Sequence, residues 1–401
     1  MKRIYIKNIG PIHEADITLK RINVIIGAQS SGKSTILKIS SYCSWVEKRI
    51  EIAQSAKQFK SPGVFLDGLV RYHKMDGYLR PGSVIRYSSD FMSFTYQFDS
   101  DSFVFRWRSK RWEYVRRKIL YIPAERNMVS TIPNWYEVKF QENNIKSFMV
   151  EWENARKSFG DSNHLSILNL SVSYYYDKAN HADRVSFSDN ESLGLTNTSS
   201  GLQTAIPLFV IISYLSSKES KTKESITDVN ERRLILDNVQ DYFIKSFGVK
   251  VEESSLIFPN NGLIDDFNRT ISHFYLNHQG DFFIEEPELN LFPDTQYDLV
   301  KWLVAVCNKQ KGTVFMTTHS PYVMTSLNNL ILGAEKSKEG KDITPILSQE
   351  SVVPYDEVGA YAISDGYVKE MLDKSENLID ARLLDAASEH IGNDFDGLLA
   401  L

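Results

Sequence analysis

Cysteine is almost absent. Cys43 and Cys307 are the two in 401 residues, and they sit in no metal-ligand spacing. A disulfide scaffold is therefore excluded, and a reducing cytoplasm is the expected setting. Long apolar runs are missing too. No stretch approaches the roughly 20 residues needed to cross a bilayer, so no membrane association is expected. The opening Met-Lys-Arg-Ile-Tyr-Ile-Lys-Asn alternates like a strand and does not read as a signal peptide. Nor is there an excess of positive charge: the formal net charge is −5, which argues against a chain built mainly to coat nucleic acid. No internal repeat is visible, and no heptad tract long enough for a coiled-coil arm. With 42% hydrophobic and 24% charged residues the composition is that of an ordinary globular protein. The length suits two or three domains, or one large domain with insertions.

What is present starts at residues 27–34, Gly-Ala-Gln-Ser-Ser-Gly-Lys-Ser, a complete phosphate-binding loop. The apolar run Ile22, Val24, Ile25, Ile26 before it reads as a buried strand, and Thr35-Ile-Leu-Lys-Ile-Ser after it as the start of a helix. In that setting the backbone N–H groups of Gly27, Ala28, Gln29, Ser30, Ser31, Gly32 and Lys33 can close round a triphosphate at a helix N-terminus. Lys33 is expected to reach the β- and γ-phosphates and the Ser34 hydroxyl to hold Mg²⁺, with Thr35 completing the segment. A chance glycine turn is the bland alternative, and the flanking strand and helix weigh against it. ATP and Mg²⁺ are the expected ligands.

Around that loop, residues 3–26 read as two or three strands with a turn at Gly10-Pro11. A helical stretch follows to about Met75. Three alternating segments near 83–89, 91–98 and 102–108 predict an antiparallel meander. Lys118-Ile-Leu-Tyr-Ile-Pro123 reads as a buried strand. Ile145, Phe148, Met149, Trp152 and Ala155 fall at helical spacing, and a hairpin is expected across 168–176 and 184–187. Residues 216–233 turn polar without periodicity and read as a mobile loop at the rim of a helical insertion. From Asp281 to about Leu332 the pattern is strand, helix, strand, helix.

Three further signals carry chemistry. Phe282-Phe-Ile-Glu285-Glu286-Pro287 is an apolar strand ending in two acids. Glu285 would support Mg²⁺, and Glu286 would orient the attacking water, since positioning and charge stabilisation dominate phosphoryl transfer. Alone, such an ending is common on surface strands; paired with the phosphate loop it points to hydrolysis. The second signal, Thr313-Val-Phe-Met-Thr-Thr-His319-Ser-Pro321, is another buried strand, ending in a histidine. One helix separates the two strands, so His319 can fall on an adjacent parallel strand at the same edge and meet the γ-phosphate. Third, Thr198-Ser-Ser200-Gly201-Leu-Gln203 opens an apolar helix, and a Ser-Gly turn there offers a hydroxyl and free N–H groups to an anion. Taken alone it is a helix cap. With the chain's own site supplied by Lys33, Glu285 and His319, it is expected to serve the nucleotide of a second subunit.

In this order the motifs resemble the ABC-class ATPases. More narrowly they resemble the branch holding the overcoming-lysogenization-defect (OLD) nucleases, the RecF and Rad50 type repair ATPases, and stand-alone ATPases of bacterial anti-phage systems such as PARIS and Septu. The match runs over residues 27–35, Tyr121-Ile-Pro-Ala-Glu-Arg-Asn127, 199–203, 285–293 and 317–322. The resemblance implies that Ser200, Gly201 and Gln203 contact a γ-phosphate across a dimer. Residues 121–127 lie near the family's glutamine loop without a clear glutamine, leaving Glu125 or Arg126 as substitutes. The family's aspartate after the catalytic glutamate falls on Phe292, and the metal-side acid is Glu285 where transporters carry aspartate. The expected fold is α/β: a P-loop ABC-type core with an antiparallel β lobe and a helical insertion. Residues 1–127 would form the first part of the core and 128–280 an insertion with the signature. Residues 281–335 would complete the core, and 336–401 would extend it for partner or oligomer contact.

OLD nucleases carry a Toprim domain of about 150 residues after the ATPase. The sequence beyond His319 is too short for one, and its nearest metal-binding mimic is Asp394-Phe-Asp396. A nuclease in cis is therefore not expected. The implied role is a regulatory ATPase that forms homo-oligomers and controls a separate effector, such as a Toprim or HNH nuclease or a toxin. The alternative is a repair clamp that closes on DNA. Residues 106–118 bear on it, with seven basic residues among Trp107, Trp112 and Tyr114. The simpler reading of that segment is a strand with Phe103, Phe105 and Trp107 inward and Arg106 and Arg108 in water, so nucleic acid is not the favoured partner.

Overall fold

The computed structural model describes residues 1–132, 134–188, 191–217, 229–252, 255–275, 279–380 and 398. Strands β1 (Lys2–Ile9), β2 (Ile12–Leu19) and β3 (Ile22–Gly27) lead to the long helix α1 (Lys33–Ala53). The helical stretch expected up to Met75 is broken. Gln54 closes α1 in the left-handed conformation, a short α2 (Lys57–Lys60) follows, and Gly63 at φ 76 sets up α3 (Val64–His73). Pro62-Gly63 supplies the chemistry of that break. The meander is β4 (Leu79–Ser88), β5 (Met92–Gln97) and β6 (Ser102–Trp107), all antiparallel. Then come β7 (Arg117–Ile122), α4 (Met128–Thr131) and α5 (Asn144–Arg156).

A small antiparallel sheet holds β8 (Leu165–Ser166), β9 (Ser173–Asp177), β10 (Ala182–Ser188) and β11 (Glu191–Gly194). Beyond it lie α6 (Ser200–Ser216), α7 (Val229–Phe247), the ribbon β12 (Lys250–Glu252) and β13 (Ser255–Ile257), and α8 (Asn261–Tyr275). Of the loop expected at 216–233, residues 218–228 lie outside the described residues, and from Val229 the chain is helical instead. The buried apolar residues of α7 include Ile235, Val239 and Phe243 at helical spacing, whereas the sequence of its first turn, Val-Asn-Glu-Arg, is mostly polar. This pair of helices rests on the end of α1, where the Asn238 amide donates to the Ile52 carbonyl at 2.8 Å.

The chain then makes β14 (Gln279–Glu285), α9 (Pro293–Gln310), β15 (Thr313–Thr318) and α10 (Pro321–Lys338). After them come β16 (Val358–Ser364), β17 (Tyr367–Glu370) and the short pair β18 (Leu372–Asp373) and β19 (Leu378–Ile379). Both α9 and α10 open on proline, where the missing N–H has no helical partner to lose.

Eleven strands share one sheet in the order β6-β5-β4-β1-β2-β17-β16-β3-β15-β14-β7. Five of them, β16, β3, β15, β14 and β7, are mutually parallel. The meander continues the same sheet on the far side of β2 and β17. Within the span from 336 on, read from sequence as an extension, β16 joins the core sheet, its Val358–Ile363 pairing with Ile22–Gly27 of β3. The two-residue side-chain period divides the core between the faces. Val24, Phe282, Ile284, Val314 and Met316 pack under α9, α10, α5 and α6. Ile25, Phe283, Phe315 and Ile363 pack under α1. The result is a mixed α/β fold in three layers. No helix among the described residues is long and apolar enough to cross a membrane.

Candidate nucleotide site

Because the five strands run in one direction, their carboxyl ends lie along one edge, where open parallel sheets bind ligands. Register brings the motifs together there: Glu285 pairs with Thr317, Thr318 with Ile26, and Gly27 with Ile363. The phosphate loop leaves β3 at Gly27, with Ala28, Gln29 and Ser30 exposed and Ser30 at φ 60. Two glycines are required. Gly32 caps α1 at φ 106, and a Cβ there would lie 2.3 Å from Ile12 Cδ1. At Gly27 a Cβ would lie 2.5 Å from Ile363 Cγ2, so β16 braces the loop from behind.

Lys33 is buried, and its ammonium donates to the carbonyls of Gly27 and Ala28, each at 2.8 Å. It also lies 3.5 Å from His319 Nδ1. On the other side of the imidazole, His319 Nε2 stands 3.4 Å from Glu286 Oε1. Lys33, His319 and Glu286 therefore form one line across three neighbouring strand ends. Burial lowers the Lys33 pKa, while the negative charges of Glu286 and Glu288 push it back up. Glu286 is held at φ 42, and its N–H points to Thr317, 3.0 Å from the carbonyl and 3.3 Å from Oγ1.

Glu285 is buried and Oε2 accepts from the Ala124 N–H at 3.1 Å. Burial and the Glu285 charge raise the neighbouring Tyr121 phenol well above its ordinary pKa. Ser34 is half-buried in the first turn of α1. Among the described residues no cluster of three His, Cys, Asp or Glu side chains could hold a metal alone. A Mg²⁺ held by Ser34 and Glu285 would take its remaining ligands from phosphate and water, which is this ion's habit.

The sequence did not assign a role to Glu288. Its Oε1 accepts from Thr318 Oγ1 at 2.6 Å and from the His319 N–H at 3.0 Å, fixing the strand end that carries the histidine. Of the two substitutes considered at 121–127, Glu125 faces outward, 3.7 Å from Lys74, whereas Arg126 is wholly buried. Burial pushes the Arg126 pKa down to about 10 against the opposing pull of Glu288, Glu286 and Glu285, so it stays charged at neutral pH. The arginine signal was present in the run Ala-Glu-Arg-Asn, but its direction was not.

The turn at 199–203 lies elsewhere. Ser199 caps α6, accepting from the Leu202 N–H at 3.5 Å, and Ser200 is exposed. Gly201 backs onto the loop after Glu286: a Cβ would lie 2.8 Å from the Asn290 carbonyl oxygen. Gln203 donates to the carbonyls of Thr196 and Thr198 at 2.9 and 3.1 Å, so its amide hydrogens close the preceding turn. Phe292 is 71% exposed.

The basic segment divides in two. Arg116 pairs with Glu51 at 3.4 Å, Arg117 with Asp281 at 2.7 Å, and Lys118 with Glu151. These three charges hold β7 to its surroundings. Arg106, Arg108 and Lys110 are exposed on and after the edge strand β6, although Arg108 also donates to the Ser89 carbonyl at 3.0 Å. The Arg111 guanidinium stacks 5.1 Å from the Trp107 ring centre. Asp394 and Asp396 lie outside the described residues.

A family model described as AAA ATPase domain matches residues 277–324, the span that carries Glu285, Glu286 and His319. Among solved structures, an SMC head bound to the C-winged helix domain of ScpA is similar at 11% identity and TM-score 0.39, over 94% of this chain and 99% of that one. An SMC head domain from Thermotoga maritima gives 8% and 0.38, over 92% and 97%. The recombination mediator RecF gives 11% and 0.30, over 92% and 97%. No curated protein matches the chain in sequence.

Proposed function

We propose that the chain is a regulatory ATPase. It binds ATP with Mg²⁺ at residues 27–35, hydrolyses it with Glu286, and assembles so that Ser200 and Gly201 of one copy complete the site of another. The observation that carries this reading is the line from Lys33 through His319 to Glu286 at 3.5 and 3.4 Å. Two buried polar atoms suit a phosphate and its counter-ion. Ser31 Oγ in the loop and Glu288 Oε2, on the carboxylate that accepts from the His319 N–H, have no hydrogen-bond partner among the described residues.

In the reaction, Lys33 exchanges the Gly27 and Ala28 carbonyls for phosphate oxygens, while the exposed loop amides hold the β-phosphate. Glu286 accepts a hydrogen bond from the attacking water and orients it toward the γ-phosphorus. His319, between Lys33 and Glu286, donates to a γ-phosphate oxygen. Ser34 and Glu285 would hold Mg²⁺, which would supply neutralisation of the phosphate charge. The turnover would control a separate effector, a Toprim or HNH nuclease or a toxin, in anti-phage defence; this last step rests on the resemblance of the motif set alone.

A repair clamp on DNA ranks second, because Arg116, Arg117 and Lys118 are spent inside the protein. The test of the chemistry uses two variants. Lys33→Ala is expected to abolish nucleotide binding. Glu286→Gln is expected to keep ATP and lose phosphate release, since it preserves shape and removes the carboxylate. Full turnover by the Glu286→Gln chain would show that the base is misassigned.

A further inference from the structure

Among the described residues Arg126 has no hydrogen-bonded side chain of opposite charge; its guanidinium is spent on carbonyls. It donates to the Glu285 and Glu286 carbonyls at 2.7 Å each and to the Pro287 carbonyl at 3.3 Å. It also reaches the carbonyls of Pro123 at 3.3 Å and Thr204 at 3.1 Å. Three consecutive carbonyls around the candidate base and one from the first turns of α6 thus converge on a single buried side chain. We propose that Arg126 is a positioning residue for hydrolysis: it fixes the backbone at 285–287 so that Glu286 faces His319, and it ties that backbone to the turn carrying Ser200.

The backbone needs such a fixture. Glu286 sits at φ 42, a region that residues with a Cβ adopt uncommonly and at some cost. Thr317 restrains its N–H from one side, and Arg126 restrains the carbonyls from the other. Asn290 adds a second tie, its amide donating to Thr204 Oγ1 at 3.2 Å. The start of α6 and the loop after β14 are therefore fastened twice, once by a charged fork inside and once by an amide nearer the surface. A planar guanidinium suits this role because its five donors spread in one plane; a lysine ammonium concentrates three at a point. An anion that engages Ser200 from another copy then acts on a turn bolted to this copy's own Glu286. One side chain links the site a copy completes with the site it owns.

This inference rests on the hydrolytic reading of Glu286. The full chain, Arg126→Lys and Arg126→Gln are compared by phosphate release over a range of ATP, by binding of a fluorescent ATP analogue, and by near-UV circular dichroism. Arg126→Lys is expected to lower kcat at least tenfold while the analogue's Kd stays within twofold and the spectrum is unchanged. A kcat within twofold of the wild type, or a Kd that worsens in step with kcat, overturns the proposal. Should both variants lose the native spectrum, hydrogen exchange in the Glu286→Gln chain decides. ATP is expected to slow exchange at 200–204 and 285–288 together, and protection confined to 285–288 overturns the tie. A wild-type chain that binds ATP and releases no phosphate refutes the ATPase reading instead, and the exchange experiment still reads the tie.

Discussion

Replacing Asp281 with asparagine tests how the strand that carries Glu285 is anchored at its other end. Asp281 is 1% exposed and sits between two cations, Lys2 at 2.9 Å and Arg117 at 2.7 Å, with the Thr313 hydroxyl at 2.7 Å. Burial alone would raise its pKa, but Lys2 and Arg117 outweigh burial and bring it from 3.8 to about 2. A depressed carboxylate pKa contributes stability above the unfolded value, and that stability is lost as pH falls through the folded value. The shift corresponds to about 2.5 kcal/mol at neutral pH, and integrating the same linkage leaves about half of it at pH 3. Asp281→Asn removes this term and leaves Lys2 and Arg117 short of a buried counter-charge, a change that costs on the order of 3 kcal/mol. Urea unfolding of both chains at pH 6 and pH 3 is the assay. The variant is expected to be less stable at pH 6, and the gap to narrow by about 1 kcal/mol at pH 3. A gap below about 1 kcal/mol at pH 6, or one that does not change with pH, refutes the account of the anchor.

Two further expectations concern assembly and partners. Ser200→Arg and Lys33→Ala chains should each be inactive alone, and mixing them should restore phosphate release, because one composite site per mixed pair is then intact; mixed oligomers with no activity would end the composite-site reading. Gln at Arg106, Arg108, Lys110 and Arg111 should leave ATP turnover unchanged, and the unmodified chain should bind duplex DNA weakly at physiological salt. Tight binding that falls steeply with salt through counterion release, and that these four changes remove, would put the clamp first.

The parts of the site that could be read from sequence are those written in consecutive residues. Gly27 to Ser34 announce a strand-to-helix turn because glycine, lysine and serine are each needed at fixed steps, and Glu285, Glu286 and His319 stand at the ends of apolar runs. The helix Asn144–Arg156 was equally plain, its five periodic residues all buried. What escaped is what distant segments build together. The Asp281 anchor draws Lys2 and Arg117 from far apart in the chain. Val358-Gly-Ala-Tyr-Ala-Ile-Ser364 is rich in small residues and gave little strand signal, yet it lies against the phosphate-loop strand, where Gly359 packs against Asn23 Oδ1. Arg126 stood out in the sequence only as one of two substitutes for a missing glutamine, with Glu125 the other. Only the surrounding carbonyls show that it faces inward.

The placement of β3 also bears on how the protein is made. Its two neighbours, β15 and β16, are encoded near the other end of the chain. During translation the segment Ile22–Gly27, all but its last residue buried in the finished molecule, has neither edge covered until most of the polypeptide has emerged. Such long-range parallel pairing is slow, and an unpaired apolar edge invites mispairing with other nascent chains. The nucleotide pocket is thus among the last features to take shape, and a ribosome-bound fragment that stops before residue 358 carries the phosphate-loop sequence without the strand that braces it. The sheet order itself thus leaves open, during synthesis, an apolar edge of the kind that chaperones shield.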